Sequence, residues 1–244
     1  KVSIDPKLDI GVETMKLNYT STVCYVDKEG GEHELERLYS TQNRTWADLE
    51  EMPKYLKYAA IAIEDERFEK HHGVDWKRTM GAAVNLFFKM RSDFGGSTIT
   101  QQLVKNLTGD KQDTVRRKLQ EIERALYIER HYTKDTIIEL YLNTIYLSQG
   151  CYGVRTAAEV YFDKEVSELS LAECASLIGI TNLPTYYDPF INPENNLKRQ
   201  RNTLKKMLDL EFITQEEYDA ALKEELVFKH EKRAQENNNK QSYF

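Results

Sequence analysis

The 244-residue chain carries 34 Lys and Arg against 40 Asp and Glu, a formal net charge of −6, with 40% apolar and 11% aromatic residues. This is globular composition, long enough for one large domain or two lobes, and it excludes wholesale disorder. It also excludes a general nucleic-acid binder, which needs a basic balance or a dominant basic face, so any anion handled here must meet a local cluster of cations.

From about Ser21 to Leu38, apolar and polar residues alternate on either side of Gly30 and Gly31, which predicts a β-hairpin within an N-terminal lead-in of residues 1–44. From about Thr45 the pattern predicts helix. "EMPKYLKYAAIAIED" places Pro53 in a first-turn position before a long apolar run, so a mostly buried helix should end near Glu64 and Asp65. A helix from about Asp75 to Met90 follows. Val115, Leu119, Ile122 and Leu126 form the stripe of an amphipathic helix from Thr114 to His131, and Thr133 is a candidate N-cap for the next, running to Ile145. Further helices are expected at about Val154–Phe162, Ser170–Ile180, Pro193–Asp209 and Thr214–Glu224. Residues 227–244 are polar and linker-like, ending in Tyr243 and Phe244 as if another unit began there.

Cys24, Cys151 and Cys174 are too few and scattered for a disulfide framework and read as buried, idle thiols. No run approaches the roughly 18 apolar residues of a membrane span, and no secretory apolar core is present. Since the chain begins at Lys1 without a Met, it reads as an excised piece whose upstream anchor or signal is missing.

Three stretches carry chemistry. Glu64 and Asp65 close an apolar helix just before Phe68, His71, His72 and Gly73. A carboxylate in apolar surroundings is costly unless paired or given a task, so the pair is a general-base candidate, or else two helix-end charges facing water. His71 and His72 are adjacent and lack metal-ligand spacing, which favours structural histidines. In "FGGSTITQQLVKN", Gly95 and Gly96 permit a turn, Ser97 or Thr98 can cap a helix, and Thr98 with Gln101 has capping-box spacing. Gln102, Lys105 and Asn106 then share one face while Ile99, Leu103 and Leu107 form an apolar stripe. This is either a site for a phosphate- or sugar-bearing ligand or an ordinary capped surface helix. Arg116, Arg117 and Lys118 precede Glu121, giving either a surface ion pair or a second carboxylate among cations that hold a pyrophosphate.

Taken in order, these segments resemble the peptidoglycan glycosyltransferase domain, glycosyltransferase family 51, of class A penicillin-binding proteins and their monofunctional relatives. The family's E-D-x-x-F-x-x-H-x-G is matched by "EDERFEKHHG" from Glu64 to Gly73, and its G-G-S-T-(I/L)-T-Q-Q-L-V-K-N by residues 95–106. R-K-x-x-E is matched by "RKLQE" at Arg117–Glu121, and the fourth motif by "ELYLNTIY" at Glu139–Tyr146. The likeness extends over residues 45–226, including "KRQRNTLKKM". Two departures are Ser148 and Cys151 in "YLSQGCYGV", where relatives often have glycine or a small residue, and "GITNLP" in place of the usual "AGLPQAP".

The resemblance implies a mainly α, lysozyme-like two-lobed domain, with a head, a membrane-facing jaw and a small N-terminal β-hairpin. It implies polymerisation of lipid II into β-1,4-linked glycan with inversion and release of undecaprenyl pyrophosphate. Glu64 would be the general base and Glu121 the second catalytic carboxylate, placed to orient the pyrophosphate, to help a divalent cation or to hold the cations. Substrate binding would fall to Asp65, Ser97, Thr98, Gln102, Lys105, Asn106, Arg117 and Lys118, with Asp65 supporting the base rather than reacting. Phe68, His71, Gly73 and Asn143 would support the site. Leu86, Phe87, Phe88, Met90 and Phe94 would belong to the jaw and enter the bilayer surface.

No covalently bound cofactor is implied, and a divalent cation, Mg2+ or Mn2+, has a conceivable place. The implied partners are lipid II, the growing lipid-linked glycan, the membrane surface and cell-wall synthesis proteins, and no nucleic acid. The expected location is the outer face of the bacterial cytoplasmic membrane, anchored by a transmembrane helix upstream. No Ser is followed three residues later by Lys, so the transpeptidase nucleophile motif is absent here and a C-terminal transpeptidase domain is expected beyond the linker. The competing readings are a lysozyme-like glycan hydrolase, which has no use for the cation set, and an inactive glycan-binding domain, which would have no need of Glu64 and Glu121.

Overall fold

The computed structural model describes residues 21–26, 32–38, 43–79, 96–108 and 114–229. The expected hairpin is antiparallel: β1 (Ser21–Val26) pairs with β2 (Glu32–Leu38), from Ser21 opposite Leu38 to Val26 opposite Glu32, with a register shift between Val23 and Cys24. A second pairing has no counterpart in the sequence reading. β3 (Asn43–Arg44) runs parallel to β4 (Cys151–Tyr152). Strands of two residues are too short to show a period, and only the folded chain brings these two together.

The helices are α1 (Lys54–Glu64), α2 (Ile99–Thr108), α3 (Val115–His131), α4 (Lys134–Thr144), α5 (Val154–Phe162), α6 (Leu171–Gly179), α7 (Pro184–Tyr187), α8 (Pro193–Asp209) and α9 (Gln215–Lys223). Thr114, Thr133, Ser170 and Thr214 stand one residue outside their helices as N-caps. Their side chains accept from the amides of Arg117, Thr136, Glu173 and Glu217, satisfying donors that have no partner inside the helix. The bounds of α5 and α8 coincide with the expected ones. The short α7, opened by Pro184, was not expected. Of the helix expected from Asp75 to Met90, residues 76–79 are helical. The remainder, the jaw residues Leu86, Phe87, Phe88, Met90 and Phe94, and the tail from residue 230 lie outside the described residues.

The described residues are mainly helical, and α1 is the hub of their core. Its Leu56, Ala59, Ala60, Ile61, Ala62 and Ile63 are buried, and it packs against α4, α6 and α8. Small alanine side chains let these neighbours come close. α6 is buried from end to end and is tied to α8 by Ser176 Oγ donating to Asn196 Oδ1 (2.7 Å) and Gln200 Nε2 donating to the Ala172 carbonyl (3.1 Å). α2 packs on α3 and α4 through Ile99 and Leu103, both fully buried, and each such side chain contributes about 1.5–3 kcal/mol. Gln102, Lys105 and Asn106 are thereby turned away from the core.

One polar pairing and one glycine fix the frame. Asn143 pairs with Ala47 as one peptide group would with another, donating to its carbonyl (2.8 Å) and accepting from its amide (2.9 Å), so the segment just before α1 is fastened to α4. Gly73 has φ +88°, and a Cβ there would lie 2.7 Å from the Ala125 carbonyl oxygen, so the turn after the first motif can press against α3 only as glycine. Ser148 and Gln149 take φ values of 64° and 48°, so the serine that departs from the family pattern holds a backbone shape that favours glycine. Cys151 and Cys174 are free and buried; burial pushes the Cys151 thiol up to about 12 and that of Cys174 well above the usual range, which leaves both inert.

Candidate active site

The C-terminus of α1, the outer face of α2, the segment after α6 and one face of α8 meet around a cleft of about 720 Å3. Glu64 stands at the end of α1 with its side chain 11% exposed. Its Oε1 accepts from the Thr181 hydroxyl (2.6 Å) and its Oε2 from Gln102 Nε2 (2.9 Å), while Arg199 approaches Oε1 to 3.9 Å. The Gln102 amide is oriented by Tyr141, whose hydroxyl donates to Gln102 Oε1 (3.4 Å). Burial, and then the charges of Glu64 and Asp65, push the Tyr141 phenol well above its ordinary range, so it stays a donor. Arg78 adds a hydrogen bond to the Glu64 carbonyl (2.5 Å).

Asp65 takes the opposite path from its neighbour. It leaves α1 at φ −155°, ψ 69°, and its carboxylate is completely buried. It accepts from the Ile99 amide at the start of α2 (3.0 Å), where the helix dipole favours negative charge, and its two oxygens receive His71 Nε2 at 3.0 and 2.9 Å. Thr98 is also completely buried: its hydroxyl donates to the Gly73 carbonyl (2.6 Å), and it forms the expected capping box with Gln101. Both residues were expected to touch substrate. Their polar atoms are instead spent inside the protein, where they lock the first motif to the second. Phe68, fully buried, meets the His71 ring edge-on and carries the Lys134 ammonium over its face at 4.2 Å.

Glu121 projects from α3 and is 5% exposed. Arg117 donates to its Oε2 (2.8 Å), and Lys118 and Gln101 (3.2 Å) both donate to its Oε1. Lys118 also donates to Ser97 Oγ (2.8 Å), so this cluster joins the cleft wall through Ser97 and Glu121. Lys105 and Asn106 line the cleft, and Lys105 is exposed with no ion-pair partner among the described residues.

The site therefore gathers Glu64, Ser97, Gln102, Lys105, Asn106 and Glu121 on its walls, with Arg117 and Lys118 behind Glu121. It also includes Arg78, Thr181, Asn182, Arg199 and Lys206, which sequence reasoning did not place there. Arg199 and Lys206 lie seven positions apart in α8, close to two helical turns, and that spacing on the helix already tied to the family was the available signal. Thr181 gave none.

Among the described residues no group of three or more His, Cys, Asp or Glu side chains could hold a metal. Glu121, the one acid considered for a divalent cation, has both oxygens turned to cationic side chains. Mg2+ is commonly held by one or two carboxylates together with substrate phosphates, and in this arrangement Glu121 is already committed to Arg117 and Lys118. No helix of the described residues is long and apolar enough to cross a membrane.

A polar cleft with a carboxylate on one side and cations around it suits transfer of a sugar from an anionic leaving group. Comparison with known sequences agrees: the family described as Transglycosylase matches residues 31–208, and the chain belongs to it as a peptidoglycan glycosyltransferase domain of the class A penicillin-binding protein type. Among curated relatives, penicillin-binding protein 1A of Aquifex aeolicus (strain VF5) is 43% identical over 198 residues, covering 80% of this chain and 27% of that protein. Penicillin-binding protein 1A of Neisseria gonorrhoeae is 42% identical over 191 residues, covering 78% of this chain and 24% of that protein. The chain thus spans about a quarter of the length of these relatives. A solved structure, penicillin-binding protein 1A from Haemophilus influenzae, aligns with 86% of this chain and 21% of its own at 24% identity and a TM-score of 0.47.

Proposed function

We propose that the domain polymerises lipid II into β-1,4-linked glycan, with Glu64 as the general base. The observation that carries this is the Glu64 carboxylate itself: its two oxygens are held by neutral donors, Thr181 and Gln102, and it lines a cleft that also holds Lys105, Arg199 and Lys206. Glu64 takes the proton of the acceptor sugar's 4-hydroxyl as that oxygen bonds to C1 of the lipid-linked donor. The C1–O bond to the pyrophosphate breaks with its electron pair leaving on the phosphate oxygen, and attack from the opposite face inverts an α-linkage to β. A positioned carboxylate base accelerates such a step by about 10²–10⁴-fold.

The leaving undecaprenyl pyrophosphate gathers negative charge, and fixed cations stabilise it without having to reorganise. Lys105, exposed on α2, is free to do so directly, with Arg117 and Lys118 behind Glu121. Of the three roles open to Glu121, its two ion pairs favour holding those cations in place. Gln102 and Asn106 offer amide donors to the sugars. The jaw expected between the first two motifs would seat the lipid at the membrane surface. The full-length protein would sit on the outer face of the cytoplasmic membrane, with an upstream anchor and a C-terminal transpeptidase domain as its partners in wall synthesis. A glycan hydrolase would have no use for these cations.

The test is polymerisation of labelled lipid II by the domain and by Glu64→Gln, with products separated by length and digested with a muramidase. Long, muramidase-sensitive chains from the wild type and none from the variant are expected. Cleavage of finished strands without polymerisation would replace this reading with a hydrolase.

A further inference from the structure

The Thr181 hydroxyl lies 2.6 Å from Glu64 Oε1 and 3.0 Å from the carbonyl oxygen of Ile178. A threonine hydroxyl has one proton and two lone pairs, so it donates to one of these oxygens at a time and retains the capacity to accept. Gln102 has no such freedom. Its amide oxygen faces Tyr141, so its nitrogen can only donate to Glu64 Oε2. Arg199, at 3.9 Å from Oε1, lies beyond hydrogen-bond reach. Among the described residues, then, one partner of the base can serve it both before and after it takes up a proton.

Resting on the function proposed above, we infer that Thr181 is a positioning residue whose hydroxyl reverses its role during each turnover. While Glu64 is ionised, Thr181 donates to Oε1, and the short separation is that of a charge-assisted O–H···O bond. When the acceptor's 4-hydroxyl proton passes to Glu64 and rests on Oε1, Thr181 turns its own proton to the Ile178 carbonyl and accepts from the carboxyl group. Thr181 keeps its proton throughout; the substrate proton alone is transferred, and it leaves Glu64 for water before the next cycle. The carboxyl group is thus held in one plane at the moment its charge disappears.

The backbone supports this duty. Thr181 lies two residues beyond the end of α6, and its own amide donates to the same Ile178 carbonyl (3.3 Å), which fixes the hydroxyl's second acceptor. It also lies in "GITNLP", one of the two stretches that depart from the family pattern, so the departure falls on a residue that touches the base.

The test measures kcat and KM for lipid II polymerisation with the wild type, Glu64→Gln, Thr181→Val and Thr181→Ser, alongside thermal unfolding. Valine keeps the shape and removes the hydroxyl; serine keeps the hydroxyl. Misplacing a reacting group by about 1 Å can cost about 100-fold, so Thr181→Val should lose about ten- to a hundred-fold in kcat with KM changed by less than about twofold. Thr181→Ser should recover kcat to within about threefold of the wild type, as expected where the hydroxyl is what matters. If valine unfolds the domain, Thr181→Ala takes its place in the same comparison. An unchanged kcat for the hydroxyl-free variant, a serine variant as slow as valine, or a rise in KM alone would overturn the inference while leaving the polymerase reading intact. A wild type that makes no glycan, under conditions where an established polymerase does, would remove both.

Discussion

Of the three glutamates that line this cleft, Glu66 is exposed, and the other two, Glu64 and Glu121, are held in opposite ways. A carboxylate offers about four lone-pair sites. Glu121 spends three of them, on Arg117, Lys118 and Gln101, and is almost closed to solvent. Glu64 spends two, both on uncharged donors, and keeps the rest towards the cleft. The contrast separates a carboxylate that organises cations from one that can receive a proton. The residue type is the same; its neighbours assign the work.

The largest effect expected from that contrast is the loss of about 10²–10⁴-fold in glycan synthesis for Glu64→Gln, with unfolding free energy changed by less than about 1 kcal/mol. Next comes Glu121→Gln, which leaves Arg117 and Lys118 facing an amide. It should destabilise the fold by about 1–3 kcal/mol in denaturant titration and retain more activity than Glu64→Gln. If Glu121→Gln were fully stable yet as inactive as Glu64→Gln, the division of labour drawn above would collapse. Lys105→Ala should lower kcat/KM by about tenfold and leave stability within about 0.5 kcal/mol, since its ammonium has no ion pair among the described residues.

The smallest expected effect is a control outside the cleft. Tyr55 donates to Glu217 Oε1 (2.8 Å), another uncharged hydroxyl on a carboxylate, but here it joins α1 to α9. That bond, then burial, pushes the phenol up to about 12. Since the folded value lies above the ordinary one near 10, the stabilisation is complete below about pH 10 and is lost as pH rises through about 12. Tyr55→Phe should therefore remove part of the stability measured at neutral pH, flatten its loss between about pH 10 and 12, and leave glycan synthesis unchanged. A drop in synthesis would mean that hydroxyl–carboxylate bonds support the domain generally, and Thr181 would lose its distinction.

Much of this was legible in the sequence. Helices announce themselves through apolar stripes, which put α5 and α8 where they fall, and through caps, of which Thr114, Thr133, Ser170 and Thr214 mark helix starts. Glu64 and its amide partner Gln102 were legible as members of one site because motifs place them. What was hidden is what depends on distant pairing. β3 meets β4 across more than a hundred residues, and Thr181 reaches Glu64 across 117. Nor does a motif reveal which of its polar residues face inward: Asp65 and Thr98 look like substrate contacts until burial shows them bonded to His71, Ile99 and Gly73.

α6 has no face turned to water: each of its nine residues is buried. Backbone amides in such a segment exchange their hydrogens with solvent only when the whole fold opens, whereas lids and binding loops open at little cost. Thr181, two residues beyond the end of α6, is therefore hung from the part of the molecule that lets go last. Whatever motion the cleft undergoes, one side of the Glu64 carboxylate is referenced through Thr181 to the slowest-opening element, so that the walls around it can move without loosening that contact.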